Sequence, residues 1–313
     1  MKKLYIILFL ILVSGIASAG EYTYPNFWFK FGWDNDVVFQ TDRYYTNGIK
    51  ISYFSQSQSH SYIDFIHLKS KYDENVFYGY SLSQDIFTPE NKNSISLSEG
   101  DRPFSSSLLL SSNKINIDGS GELIKQSDLQ VGVIGKLGGG EWVQNGIHSL
   151  LPTSSIVNGW ENQTETNIAV NYGLEFERIF AGNSFIQLSG ALGGKLGLPY
   201  TYGETGVNVR LGDVHKYFNH LNFYSANKID VFAYSGIKGK VVGYNATIQG
   251  GLFTDTALKL SHPNINHFLY EVDAGINFSY RSMKINLGAK YMSPELNRGD
   301  PHRWGYVSFM FAL

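Results

Sequence analysis

Hydrophobic and polar residues alternate one by one over several stretches of the chain. In the segment 304–313, Val307, Phe309, Phe311 and Leu313 fall on one face. In the segment 27–34, every odd position is aromatic, and Trp28, Lys30, Gly32 and Asp34 stand at the positions between them. This period of two is typical of β-strands that have one apolar face.

The same alternation recurs along the chain and predicts about twelve strands. An even number of strands of this length, with aromatic residues at both ends of the apolar face, is typical of an all-β transmembrane antiparallel barrel. A soluble β-sandwich is the alternative, in which the apolar face packs against a second sheet. The predicted strands lie near residues 26–36, 45–56, 76–87, 104–115, 123–134, 166–178, 184–195, 204–212, 228–242, 268–280, 284–293 and 304–313. The segment 244–262 fits either a loop or a further strand.

A barrel with an even number of strands places both chain ends in the periplasm, with short turns there and longer loops outside. The unusual polar residues then fall mainly on the external side. The predicted external connections lie near residues 37–44, 88–103, 135–165, 196–203, 243–267 and 294–303.

The first residues have the features of a secretory signal. Lys2 and Lys3 precede an apolar run over residues 4–13, and Ala17 and Ala19 form an A-x-A cleavage site. We therefore expect a signal peptide over residues 1–19 and one barrel domain over residues 20–313. An N-terminal membrane anchor is the alternative, although the run is short for a spanning helix.

Composition narrows the class of protein further. The formal charge of −2 becomes −4 without Lys2 and Lys3, which argues against a nucleic-acid-binding protein. The chain has no cysteine, so that no disulfide framework supports it. After residue 19, no apolar stretch is long enough for a membrane helix, while Tyr and Phe are each present 21 times. These features favour an exported β-protein.

Candidate chemistry gathers where the first two strands meet. Asn35 and Asp36 end the first strand, and Thr46 begins the second, so we expect the three side chains to lie together at the external boundary. A polar cap at the strand ends is the alternative, with Asp42 and Asn47 as turn-forming residues. Carboxylate and amide oxygens are also ligands that a hard cation such as Ca²⁺ prefers.

A short amphipathic helix is predicted in the third external connection. The segment 141–151 has apolar residues at helical spacing on one side, and Gln144 and His148 on the other. Histidine is the usual general base near neutral pH, so His148 is a candidate to activate water, although a surface histidine is the plainer alternative. The chain contains neither G-x-S-x-G nor H-E-x-x-H, which disfavours a serine hydrolase of the α/β class and a zinc protease. Lys92 could supply a fixed positive charge.

Taken in order, several segments resemble one family, the outer-membrane lipid A 3'-O-deacylases called LpxR. The resemblance covers nearly the whole chain after the signal. It rests on Asn35-Asp36, "YYTNGIKISY" (44–53), "SQDIFTP" (83–89), "EGDRPFS" (99–105), "GGGEWVQNGIH" (138–148), "GW" (159–160) and "NRGDPHRWGYVSF" (297–309).

The resemblance implies a barrel of twelve strands with its active site at the external mouth. It also implies Ca²⁺-dependent hydrolysis of the ester that links the 3' acyloxyacyl chain to lipid A. Residue by residue, it implies His148 as the base, Asn35, Asp36 and Thr46 around the oxyanion and the metal, and Lys92 as a functional lysine. Asn93 stands where the family has an arginine, and Ser154 lies near the position of a family glutamate.

The implied substrate is lipid A of lipopolysaccharide in the outer leaflet of a Gram-negative outer membrane. Its phosphates are anionic, so Arg43 and Arg102, which lie on external connections, are candidate substrate-binding residues together with Gln144. Snorkelling at the membrane interface is the alternative for both arginines. We expect a monomer embedded in the membrane. A phospholipase with a Ser-His pair and a non-enzymatic porin or adhesin barrel are the rival functions.

Overall fold

Alternation at every second residue gives each strand an inner and an outer face, and hydrogen bonds between neighbours close the wall. The computed structural model describes residues 27–56, 63–90, 101–150, 156–214, 229–251 and 264–312. They form a closed antiparallel barrel of twelve strands in chain order, with the first strand paired to the last. The strands are β1 (Phe27–Asn35), β2 (Tyr44–Gln56), β3 (Asn75–Thr88), β4 (Ser105–Ile117), β5 (Leu123–Ile134), β6 (Asn167–Gly182), β7 (Ile186–Gly197), β8 (Tyr200–Gly212), β9 (Ile229–Asn245), β10 (Phe268–Tyr280), β11 (Met283–Met292) and β12 (His302–Ala312).

The barrel predicted from alternation is confirmed, and each predicted strand corresponds to one of these twelve. Two connections differ from the prediction. The external loop expected over 196–203 is only two residues long, because β7 continues to Gly197 and β8 begins at Tyr200. The ambiguous segment after β9 begins with a short helix, α2 (Ala246–Gln249), and the residues 252–262 lie outside the described part of the chain. The predicted signal segment also lies outside it.

The two faces of the wall have opposite character. Aromatic and aliphatic side chains on the outer face of β1 are exposed, with Phe29, Phe31 and Trp33 at 42%, 39% and 39%. The alternate positions face the lumen, where Tyr306 donates a hydrogen bond to Asp273 (2.7 Å). The outer face is therefore the surface that contacts lipid. Within the described residues, no helix has the length and apolarity needed to cross a membrane.

Ion pairs and an apolar cluster fill much of the inner face. Lys238 pairs with Glu204 (2.9 Å), and Glu271 accepts from both Lys240 (3.1 Å) and Lys290 (3.2 Å). Nearer the periplasmic end the inner wall is apolar, and one cluster contains Trp28, Phe54, Phe77, Ile115, Ile117, Ile124, Met310 and Ala312. These contacts favour the filled lumen expected from the inward aromatic residues.

One helix lies on the outside of the wall at the external end. The predicted helix is confirmed as α1 (Gly140–Leu150), preceded by a 3₁₀ turn at Lys136–Gly138. Both elements pack over the outer face of β3 and β4, where Gln84 donates to the carbonyl of Gly138 (2.7 Å). A Cβ atom on Gly140 would lie 2.7 Å from the Cβ of Ser106, so glycine here allows the helix to approach the wall.

The apolar cluster at the periplasmic end should carry a large share of the stability. Phe77 is 1% exposed within it, and we expect Phe77→Ala to cost about 3–5 kcal/mol of unfolding free energy, through lost burial and a cavity. Tyr80→Ala on the outer face of the same strand is the matched control, because Tyr80 is 51% exposed. Urea unfolding in detergent micelles measures both variants. Equal losses would contradict the assignment of the inner face as a packed core.

Candidate active site

Polar side chains gather on the outer face of β1 and β2 at the external end. Asn47 lies on the same face as the exposed Trp33, whose indole N–H donates to its side-chain carbonyl (2.8 Å). The amide of Asn35 donates to the same oxygen (3.2 Å). The side-chain carbonyl of Asn35 accepts from the N–H of Val37 (2.8 Å) and caps the 3₁₀ turn Asp36–Phe39. Asn35 therefore has the capping role that was its plainer alternative, and its carbonyl retains a second lone pair.

Asp36 is a buried carboxylate, only 1% exposed. One of its oxygens accepts from the hydroxyl of Thr41 (2.9 Å) and from the N–H of Arg43 (3.0 Å). Burial raises the pKa of Asp36 to about 7, and these two hydrogen bonds only partly oppose that rise. No cation among the described side chains forms an ion pair with it. Asp36 is thus a desolvated negative charge held by neutral donors, which a bound cation would stabilise.

Helix α1 presents Gln144 and His148, one turn apart, to the outer face of the wall. Gln144 is 4% exposed, and both the carbonyl and the NH₂ group of its side chain form hydrogen bonds. Its carbonyl accepts from the indole N–H of Trp160 (2.8 Å), and its NH₂ donates to a carboxylate oxygen of Asp42 (3.0 Å). Gln144 therefore fixes the helix against the loop before β2. Its role as a substrate-binding residue stays a prediction.

His148 lies next to the same carboxylate. Its Nε2 is 3.7 Å from the second oxygen of Asp42, and the two side chains are 13% and 23% exposed. The sequence indicated only a turn-forming role for Asp42. The connection between Asp42 and a helix about a hundred residues later depends on tertiary packing, so local sequence carried no signal for it.

Thr46 enters the site through a bulge in β2. The register of β2 against β3 shifts between Tyr45 and Asn47, which makes Thr46 the extra residue. Its hydroxyl lies 2.7 Å from the hydroxyl of Thr88, which in turn donates to the backbone carbonyl of Asp42 (3.2 Å). Like the pairing of Asp42 with His148, this contribution of Thr88 to the site was not predicted from the sequence. The structure therefore links Thr46 to the backbone of Asp42 through Thr88, while His148 lies beside the side chain of Asp42.

Arg43 holds three external connections together. Its guanidinium pairs with Glu90 (2.5 Å) and with Asp300 (3.0 Å), and it lies over the ring of Tyr44 (5.2 Å from the centroid). The side chain is 23% exposed. Two carboxylates thus neutralise much of its charge, and binding of an anionic substrate by Arg43 stays a prediction.

Arg102 lies on the lumen side of the wall. It is 1% exposed and pairs with Glu295 (3.0 Å), and it donates to the hydroxyl of Thr247 (2.8 Å). Its guanidinium covers the ring of Phe87, which faces inward on β3 (4.3 Å from the centroid). The structure therefore separates Arg102 from His148. Lys92, the fifth predicted catalytic residue, lies outside the described residues.

The donor set suits a hard cation better than a transition metal. The described residues contain no group of three or more His, Cys, Asp or Glu side chains that could hold a metal ion. Oxygen donors are nevertheless present in Asp36 and Asn35, and backbone carbonyls and water commonly complete a Ca²⁺ shell. The predicted Ca²⁺ site at Asn35 and Asp36 is compatible with this chemistry and stays a prediction.

Comparisons with known proteins agree with this architecture. Among solved structures, LpxR from Salmonella typhimurium has a TM-score of 0.75 and 20% sequence identity, and the match covers 91% of this chain and 100% of that one. The β domain of the Bordetella autotransporter BrkA has a TM-score of 0.48 and 8% identity, over 93% of this chain and 100% of that chain. At 20% identity, the likeness to the Salmonella LpxR structure concerns the fold. A search of curated proteins found no match.

A family model described as outer membrane protein LpxR matches residues 4–313, which is nearly the whole chain. Together with the closed barrel of twelve strands, this match indicates the outer membrane of a Gram-negative cell as the location. The chain belongs to the LpxR family of outer-membrane proteins.

Proposed function

We propose that this protein is a lipid A 3'-O-deacylase, which hydrolyses the ester of the 3'-linked acyloxyacyl chain in the outer leaflet. The observation that carries the proposal is the position of the His148–Asp42 pair on the outer face of the external wall, with 3.7 Å between imidazole and carboxylate. A base on that side of the wall lies next to the outer leaflet, so an acyl ester can reach it without extraction of the lipid from the membrane. A site inside the lumen would require extraction.

Asp42 orients the base. A carboxylate beside Nε2 favours the tautomer that carries its proton on Nε2, in which Nδ1 is the basic nitrogen of the ring. Gln144 holds the other oxygen of Asp42 at 3.0 Å, so the carboxylate cannot rotate freely. Asp42 is therefore a positioning residue for His148 in this mechanism, as carboxylates are for the histidines of other hydrolases.

The reaction is a water-mediated ester hydrolysis. His148 removes a proton from water as its oxygen bonds to the ester carbonyl carbon, and the carbonyl oxygen becomes the oxyanion. The bond from that carbon to the sugar oxygen then breaks, and the imidazolium returns the proton to the leaving alkoxide. The products are a carboxylic acid and a free 3'-hydroxyl group on the sugar. Thr46, whose hydroxyl is linked to the backbone of Asp42 through that of Thr88, would help to orient the oxyanion.

Asn35 and Asp36 would hold the Ca²⁺ ion. Asp36 fits this role because it is buried and negative with only neutral donors, so that a cation offsets its desolvation. When bound, Ca²⁺ supplies positive charge that stabilises a developing oxyanion. Lys92 and Arg43 are proposed to contact the anionic phosphates of the substrate.

The geometry gives less support to the rival functions. A phospholipase with a serine nucleophile needs a histidine beside an accessible serine and free oxyanion donors. His67 does contact Ser112 (2.9 Å) and Ser127 (3.0 Å). Ser112, however, lies on β4, which is paired with a strand on each side, so the backbone N–H groups around it are committed to the sheet and do not serve as oxyanion donors. The inner wall of ion pairs and packed aromatic residues disfavours a wide porin channel.

Replacing the base should abolish turnover without unfolding the barrel. We expect His148→Ala to lower the rate of acyl release at least 10²-fold, because general-base catalysis contributes about 10²–10⁴-fold. Ser149→Ala is the matched control, since Ser149 lies on the same helix and, among the described residues, its hydroxyl donates to the carbonyl of Gly146 within that helix (2.8 Å). Mass spectrometry of purified lipid A incubated with folded protein measures both variants. Full turnover by the His148 variant would refute its role.

The positioning role of Asp42 gives a different kinetic signature. Asp42→Asn keeps the shape but removes the charge that sets the tautomer, so kcat should fall by on the order of 10²-fold while KM changes little. A fall confined to KM, with kcat unchanged, would show that Asp42 serves only to pack the loop.

Calcium binding should depend on pH through Asp36. The pKa of its carboxyl is raised to about 7, so below this pH a proton competes with the cation, and Ca²⁺ affinity should be about tenfold weaker at pH 6 than at pH 8. Titration calorimetry in detergent micelles measures the affinity independently of turnover. Asp36→Asn should weaken binding and remove this pH dependence. Wild-type affinity that is equal at both pH values would contradict Asp36 as a ligand.

In turnover assays, EGTA should stop deacylation, and added Ca²⁺ should restore it.

A further inference from the structure

The outer face of the wall becomes polar toward the periplasmic end of β4 and β5. On β4 the outward residues Leu108 and Leu110 are exposed and apolar, but the next three outward positions are Ser112, Lys114 and Asn116. On β5 the exposed Val131 is followed, toward the periplasm, by Leu129 and then by Ser127 and Lys125 on the same face. Polar groups of this kind facing hydrocarbon would carry a large cost.

A segment between β2 and β3, residues 63–74, covers this polar surface from outside and is called here the wall segment. His67 lies at its centre and is 5% exposed. Its two ring nitrogens contact the hydroxyl groups of Ser112 (2.9 Å) and Ser127 (3.0 Å). From β6, the hydroxyl of Tyr172 donates to the carbonyl of Ile66 (2.9 Å). All three partners lie on the outer face.

Charged groups of the wall segment neutralise those of the wall. Asp64 pairs with Lys114 (2.5 Å), whose side chain is 1% exposed. Glu74 pairs with Lys125 and accepts from the amide of Asn116 (2.9 Å). The wall segment therefore turns Asp64, His67 and Glu74 toward the barrel, while Lys69, Lys71 and Asp73 are exposed.

The opposite side of the wall segment is apolar at its upper part. Phe65 follows Asp64 in the chain and is 85% exposed, so its ring points away from the barrel. Tyr72 is also fully exposed, but it lies among Lys71 and Asp73 close to the start of β3. The segment thus has an apolar upper part and a polar lower part.

The height of the segment places Phe65 within the bilayer. Phe65 lies between Asp64 and His67, which contact Lys114 and Ser112, three and five residues before the periplasmic end of β4 at Ile117. At about 3.3 Å per residue and a tilt of about 40°, that is roughly 8–13 Å above the strand end, inside an apolar band about 25 Å tall. On the other side of the barrel, exposed Ile229 and Val231 extend the apolar band down to the periplasmic end of β9.

We propose that the wall segment is a membrane-inserted element whose outer side, through Phe65, contacts the acyl chains of phospholipids in the periplasmic leaflet. The polar side chains that face the barrel form hydrogen bonds and ion pairs with the polar groups of the wall. The apolar side continues the lipid-facing belt at the level where the outer faces of β4 and β5 become polar. Continuity with Leu110 and Val131 above it identifies lipid as the partner in place of a periplasmic protein. The inference is independent of the proposed deacylase activity.

Site-specific labelling tests this inference directly, because the chain has no cysteine. Phe65→Cys carrying the fluorophore NBD, reconstituted in phosphatidylcholine vesicles, should show blue-shifted emission and strong quenching by phospholipids brominated on their acyl chains. Leu110→Cys is the control for a lipid-facing position, and Tyr72→Cys is the matched control on the polar part of the same segment. We expect position 65 to behave like position 110, with position 72 less quenched and red-shifted.

Emission at position 65 that matches position 72, without quenching by brominated lipid, would overturn the proposal. A second pair of variants checks it without a label. Phe65→Asp should lower the fraction of protein that inserts and folds into vesicles, because it places a charge in hydrocarbon, whereas Tyr72→Asp should leave that fraction unchanged. Heat-dependent electrophoretic mobility measures folding. Equal folding of both variants would also contradict lipid contact.

Discussion

The period of two in a β-strand determines which side of the barrel every functional side chain faces. A shift of one residue would move Asn35 and Asn47 from the lipid side to the lumen, and would carry Tyr45 the other way. The bulge at Thr46 is the one place in β2 where this alternation is interrupted, and there Thr46 meets Thr88 beside Asp42. The proposed site on the outer wall therefore depends on strand register as much as on the identity of its residues.

Around this wall, polar elements pack on the outside at both ends. At the external end, helix α1 lies flat on β3 and β4, and the Trp160–Gln144–Asp42 hydrogen bonds fix its position. At the other end, the wall segment 63–74 covers a second polar area through His67. Between them, the outer face of β4 exposes only Leu108 and Leu110 to lipid. On β4, the apolar outer face between these two elements is thus limited to two residues.

Much of the fold could be predicted from sequence, because alternation is a local signal that each strand carries by itself. The helix with His148 was also predictable, since its apolar spacing and the glycines before it are local. Asp42 was not, because its importance comes from Gln144 and His148, which lie far away in the chain. The wall segment escaped prediction for a related reason: Asp64 and His67 are polar in sequence, and only the outward serines and lysine of distant strands explain them.

The central claim is that the His148–Asp42 pair on the outer wall serves hydrolysis of a lipid A ester. Mass spectrometry of lipid A from Gram-negative cells that express the folded wild-type protein tests it most directly. The account predicts a lipid A species that has lost the whole 3' acyloxyacyl group and retains its other acyl chains. Unchanged 3' acylation, with the wild-type barrel folded in the outer membrane and Ca²⁺ present, would contradict it.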